Sequence, residues 1–484
     1  MAGSSASGAD EAAPAERGTR APSRKKHAVE TPRTQSLQNC TAPLRPPWRV
    51  GTPWIAIRVF PERWNTKMIR RRWLLLGLVF VAIMINYVDR GNLSIAAPDM
   101  MKDFRIGPEN MGVLLSAFFW TYAAFQIPSG MLVDRFGIRW SYTLSFLVWS
   151  LASAAIALSR GPGDVIGMRM ALGVAESVAP LASVAFIRSS FSGEEQGMPT
   201  SIYIAGQNIG PALGVLVGTI LIDKFGWRMM FAITGLGALV WVPCWLFAAP
   251  PDGSRAERRA AREADEPSGP RPWTWNMLLH NGTFWAMALA TLLASYYWYF
   301  VLTWVPSYLV ISRGFSTLGM GRVLSTALLI MAVVNIVAGK LADRLAAAIS
   351  VFRARLWFVV LGYIGTGAIL LLLVTGREWS LPVLTFSLCA TGIGNSTYWA
   401  IVQHASPKHL VGRSVGFLNT VSVLGGVLAP IITGWLLGPE KRFGPAILVA
   451  GVCPVLAAFC LLAAGSKGLA SVKTLLAGKV YTEA

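Results

Sequence analysis

Four charged residues stand where the chain is otherwise apolar. Asp89 and Arg90 are adjacent in INYVDRGNLS (85–94), and Arg169 and Glu176 lie seven residues apart in RMALGVAE (169–176). An uncompensated charge at mid-membrane costs about 2.5–3.5 kcal/mol on insertion scales, so such residues are usually kept for chemistry. A carboxylate in a low-dielectric site holds a proton more readily than in water. A guanidinium stays charged and presents a planar fork that matches a carboxylate. Two of each could neutralise one another, carry protons and bind an organic anion. Two blander readings are buried ion pairs that serve assembly, and an Arg90 that snorkels to the surface and strands Asp89. Arg169 and Glu176 are two helical turns apart and share a face. Arg90 and Arg169 fall at similar depth with Glu176 near the centre, so the expectation is four charges around one aqueous cavity.

Neutral polar residues at comparable depth extend the candidate site. Tyr87 is three residues before Arg90, and Tyr122 and Gln207 fall near the middle of two other apolar stretches. Ser396, Trp399 and Asn419 occupy similar positions late in the chain. Hydroxyl and amide groups suit a polyhydroxy ligand, whose OH groups need partners once desolvated. Trp399 also reads as core packing, and Asn419 as an interhelical hydrogen bond. The aromatic run SYYWYF (295–300) lines a cavity or packs against its neighbours, with Tyr296 and Tyr297 the candidates for lining.

The elements that must hold these residues are membrane-spanning helices. Of 484 residues, 54% are hydrophobic and only 14% charged, well below the quarter usual in soluble domains. Twelve apolar stretches are each long enough to cross the bilayer as a helix: approximately 73–96, 111–133, 140–158, 164–187, 198–222, 229–249, 282–311, 319–341, 356–375, 380–403, 413–437 and 444–464. They lack the alternation of an outer-membrane barrel. The expected fold is therefore an all-α membrane protein with twelve transmembrane helices in two six-helix halves. The formal charge of +19 does not indicate nucleic acid, because Lys and Arg cluster in short loops. Their bias places both termini in the cytoplasm. Cysteines 40, 244, 389, 453 and 460 and histidines 27, 280, 404 and 409 show no metal-ligand spacing. Neither a metal nor a cofactor is expected.

Organisation follows from composition. Residues 1–67 are a basic stretch rich in Ala, Pro, Ser and Gly that reads as disordered. Met68, followed by IRRRW, is the expected start, which makes 1–67 a dispensable extension. Residues 68–249 form the first half, 250–280 a charged, Pro-rich linker, 281–465 the second half and 466–484 a cytoplasmic tail. GMLVDRFG (130–137) and GKLADRL (339–345) repeat G-x-L-x-D-R after the second span of each half. Their glycines permit close helix approach, and their aspartates face a helix N-terminus or an arginine. A duplicated six-helix unit is a transporter architecture with its site at mid-membrane.

The twelve spans and the GMLVDRFGIR loop resemble the major facilitator superfamily. INYVDRGNLSIAAP, RMALGVAESVAP (169–180) and WVPSYL (304–309) are similar to its anion:cation symporter family, which includes bacterial sugar-acid importers. The resemblance spans about residues 70–465. It implies that Asp89 and Glu176 carry protons, and that Arg90 and Arg169 handle substrate charge and its coupling. It implies cavity positions for Tyr87, Tyr122, Gln207, Ser396, Trp399 and Asn419. It further implies a conformational role for the loop residues Gly130, Asp134, Arg135, Gly137 and Arg139, with Asp343 and Arg344 in the repeat. The chain departs from many relatives at Val423, where a second polar Asn is common. GQNIGPALG (206–214) resembles the fifth-span pattern of drug:proton antiporters, though small residues there also serve packing.

The combined expectation is a proton:organic-anion symporter of the bacterial inner membrane, working as a monomer by alternating access on a hexuronate, aldonate or aldarate. Its partners are a small anion, protons and the bilayer, with no nucleic acid. An efflux antiporter of amphiphiles and a non-transporting membrane sensor are the alternatives. An enzyme is disfavoured, because no nucleophile–base pair, metal set or phosphate loop stands out. Two carboxylates leave one or two protons per anion open.

Overall fold

A computed structural model describes residues 66–192, 195–252, 282–349, 351–405 and 411–476. Most of the expected N-terminal extension and linker, the end of the tail, Cys40, His27, His280 and His409 lie outside the described residues. Among the described residues the chain is helical: α1 (Thr66–Asp103), α2 (Pro108–Phe136), α3 (Ile138–Ala155), α4 (Pro162–Glu176), α5 (Val178–Ser190), α6 (Gly197–Ala238), α7 (Trp241–Ala248), α8 (Gly282–Ile311), α9 (Thr317–Ala348), α10 (Val351–Thr366), α11 (Ser380–Ala405), α12 (Val411–Leu437) and α13 (Gly444–Leu476).

Ten stretches among them are long and apolar enough to cross a membrane. One, Gly197–Ala248, has 52 residues, about 78 Å at 1.5 Å per residue and so two crossings long. It breaks at Gly226, whose φ of 78° and ψ of 167° are open to glycine without a Cβ clash. Trp227 then turns back, its Nε1–H donating to Asp103 Oδ2 at 2.7 Å. Ser380–Ala405, too rich in Ser, Thr and Asn to reach the same hydropathy, supplies the twelfth crossing. The protein is an all-α membrane protein of twelve transmembrane helices in two six-helix halves.

Two local features of the first half position the charges. A glycine stripe on α6 lies on α1: a Cβ at Gly210 would sit 2.8 Å from Met84 O and from Tyr87 Cβ, and one at Gly214 2.9 Å from Val88 Cα. The fourth span is interrupted at Ser177, between α4 and α5. Pro180 has no N–H to donate to the carbonyl four residues back, which belongs to Glu176. Glu176 therefore sits at the break itself. Above it, α4 meets α2 nearly backbone to backbone, since a Cβ on Gly173 would collide with Phe118 O and the Thr121 hydroxyl.

The halves meet at the end of the bundle that carries loops 104–107, 312–316 and 438–443. There a Cβ on Gly112 of α2 would come within 2.5 Å of Pro430 O, and one on Gly434 of α12 within 2.5 Å of Pro108 O. Gly321 of α9 lies against the Thr219 side chain of α6. Deeper in, Phe119 of α2 and Tyr299 of α8 make an edge-to-face pair with centroids 4.7 Å apart.

Candidate functional site

Arg90 is the centre of the site. Its Nε donates to Glu176 Oε2 at 3.0 Å, and its guanidinium carbon lies 4.4 Å from the Tyr122 ring, 4.9 Å from Tyr87 and 5.0 Å from Phe118. Three aromatic faces around one cation hold it by its charge and exclude water from its flanks. Glu176 is wholly buried, whereas 11% of the Arg90 side chain remains accessible. Arg90 therefore stands between Glu176 and the space beyond it. That space is a pocket with about 40 Å³ of free volume, lined by Tyr87, Arg90, Ser94, Phe119, Trp298 and Tyr299 among others. It has room for a few waters, and its walls come from both halves.

The other two charges lie elsewhere. Arg169 is 2% exposed, with Nη1 donating to the backbone carbonyl of Asp89 at 3.4 Å and its guanidinium carbon 5.2 Å from the Phe118 ring. Asp89 is 1% exposed; its Oδ1 accepts from Ser153 Oγ at 2.9 Å and from Asn92 Nδ2 at 3.4 Å. Ser153 belongs to α3, so the Asp89 carboxylate points away from the pocket. The expectation of four charges around one cavity is corrected here. Consecutive residues on a helix point about 100° apart, so Arg90 takes the pocket and Asp89 the helix interface behind it.

Gln207 donates to the Tyr203 hydroxyl at 3.0 Å. In the second half, Ser396 bonds back to Ile393 O of its own helix, Trp399 stacks edge-on against Tyr398, and Asn419 is exposed. Within SYYWYF, Tyr296 and Tyr297 do not line the pocket. The Tyr296 hydroxyl pairs with Thr433 and the Tyr297 hydroxyl with Ser387, while Trp298 and Tyr299 reach the pocket. Five aromatics in six positions give no periodic signal, so the sequence does not tell which face turns inward.

A sequence profile of the Major Facilitator Superfamily matches residues 79–430. The chain belongs to the major facilitator superfamily. A probable galactarate/D-glucarate transporter of Escherichia coli K12 is 29% identical over 428 residues, covering 82% of this chain and 95% of the relative. A D-galactonate transporter of Escherichia coli O6:H1 is 28% identical over 78% of the chain and 92% of its own length. A hexuronate transporter of Bacillus subtilis is 28% identical over 79% and 92%. A bacterial homologue of the human lysosomal transporter Spinster, solved inward-facing and unoccupied, shares the fold with a TM-score of 0.66 at 16% identity, over 86% of this chain and 99% of that one.

The loop residues typical of the superfamily are built in unequal ways. Gly137 has a φ of 84° and starts α3. The α3 N-terminus is met by Asp252, which accepts from the backbone N–H of Arg139 at 3.1 Å and of Trp140 at 3.4 Å. Arg139 also donates to Leu246 O at 2.9 Å. Gly130 packs near Leu181, and Arg135 lies over Phe136. In the repeat, Asp343 pairs with Arg355 at 2.9 Å, and Arg344 is exposed. The arginine partner expected for the repeated aspartate is met at Asp343, and in the first half a carboxylate from beyond the sixth span, Asp252, stands at the start of α3.

Proposed function

We propose that the chain is a proton-coupled symporter that imports an organic anion of the sugar-acid class (hexuronate, aldonate or aldarate) across a bacterial inner membrane, with both termini cytoplasmic. The observation that carries this reading is the Arg90–Glu176 pair, a guanidinium at the pocket wall whose carboxylate partner is buried behind it. An incoming carboxylate competes with Glu176 for the same cation. A proton on Glu176 removes that competition, so anion and proton load together. Loss of the proton restores the internal pair and expels the anion. Arg169, beside Asp89, supplies the second positive charge that keeps two buried carboxylates tolerable.

The named relatives support the ligand class, since galactarate, glucarate, galactonate and hexuronates all combine carboxylate and hydroxyl groups. Tyr87, Tyr122 and Gln207 on one half, with Ser396, Trp399 and Asn419 on the other, are the groups that would meet those hydroxyls as the halves rock together. With the termini in the cytoplasm, the sealed end faces outward, an arrangement suited to release inside. The fifth-span glycines that favour an efflux antiporter are used in packing α6 on α1.

The test is uptake into proteoliposomes of labelled D-galactonate, D-glucarate and D-galacturonate under an inward proton gradient. Accumulation of one of them, abolished by a protonophore, is expected. Uptake indifferent to the gradient would sink the coupling. Export of amphiphiles with no anion uptake would move the assignment to the antiporter.

A further inference from the structure

Asp89 faces a polar seam that the pocket does not touch. Ser153 of α3 donates to Oδ1, and Asn92 bridges Oδ1 to Thr234 Oγ1 at 3.1 Å. Ser153 has little freedom to leave. At the next residue α6 comes in so closely that a Cβ on Gly235 would lie 2.5 Å from the Ala154 nitrogen. Around this anchor, several buried polar atoms have no protein partner: Asp89 Oδ2, Arg169 Nε and, one turn back on α3, Ser150 Oγ. Buried polar groups in native proteins are nearly always bonded, to ordered water where protein is lacking. Asn86 lies one turn before Asp89 on α1 and hydrogen-bonds with Glu176, so its amide stands between the two carboxylates.

We propose that Ser153 is a positioning residue for Asp89: it occupies Oδ1, so the proton is taken up and released on Oδ2 only, through water in the α1–α3–α4 seam and without contact with the transported anion. The proposal deepens the symport reading and rests on it for physiological meaning, but its geometry stands without any ligand. The charges acting on Asp89 are Glu176 and Arg169 from α4, and Arg90 is its neighbour on α1. Among the described residues, α3 contributes the uncharged Ser153 and the sixth span, through Asn92, the uncharged Thr234.

Infrared difference spectroscopy of the full chain in liposomes, under a pH jump and with no anion present, tests it. A protonated-carboxyl band that disappears in Asp89→Asn belongs to Asp89. Loss of a donor disfavours the charged carboxylate, so Ser153→Ala moves that band's titration midpoint up by about one pH unit, a tenfold change in proton affinity. Ser153→Thr keeps the wild-type midpoint, and Ser153→Cys, of similar volume but a weak donor, falls between. The pH profile of uptake shifts likewise while the KM for the anion at low pH stays unchanged. An unmoved midpoint in both Ser153→Ala and Ser153→Cys overturns the proposal, as does the absence of any band lost in Asp89→Asn. Failure of all three anions to be taken up would instead count against the symport reading, because the infrared measurement uses none of them.

Discussion

Arg90 carries the largest single-residue expectation. Hydrogen bonds to charged groups contribute about 1.5–3 kcal/mol, so Arg90→Ala should reduce anion affinity by roughly ten- to a hundredfold, measured as KM in proteoliposome uptake. Arg90→Lys should recover only part of this, because an ammonium lacks the fork and stacks poorly on the Tyr87, Phe118 and Tyr122 rings. Glu176→Gln removes the competing charge at nearly constant volume. It should retain counterflow of the anion yet lose accumulation driven by a proton gradient; retained accumulation would show that Glu176 is not the coupling group. The residue types and their co-location on two spans were legible in the sequence, because charges among apolar residues are conspicuous. Their directions were only half legible. Adjacency on a helix already implies that Asp89 and Arg90 diverge, but which of them meets the pocket depends on where α3 and α2 pack, and no spacing on α1 encodes that.

At the level of elements, close approaches decide where the charges lie. Gly173 and Gly210 are sites where a side chain has no room, and overpacking typically costs about 1–3 kcal/mol. Gly173→Val and Gly210→Val should each lower the thermal unfolding midpoint by several degrees and reduce uptake. Gly77→Ala, on an exposed face with nothing within 4 Å, should leave both unchanged. The spans themselves could be read from apolar length alone, including the division of Gly197–Ala248, which the sequence marks with the polar and glycine residues of DKFGWR. The break at Ser177 was not anticipated, although Pro180 was a visible signal for it. The anchor from Asp252 to α3 could not be read, since 113 residues separate it from Arg139.

For the whole molecule, the two halves hold each other at the end that carries loops 104–107, 312–316 and 438–443. Cysteines at positions 219 and 321 test this arrangement. A Cβ at Gly321 would lie 2.8 Å from Thr219 Cβ, so a slight outward relaxation brings the pair to the roughly 3.8 Å of a disulfide. Thr219→Cys/Gly321→Cys should lose uptake on oxidation and regain it on reduction; uninterrupted uptake by the oxidised protein would mean that this contact does not part during transport. The same seam has a kinetic consequence. At Gly112–Pro430 and Gly434–Pro108 the surfaces in contact are peptide backbone. Two such flush backbone contacts fix the register in which the halves meet, so each closure of this seam is a search for one alignment.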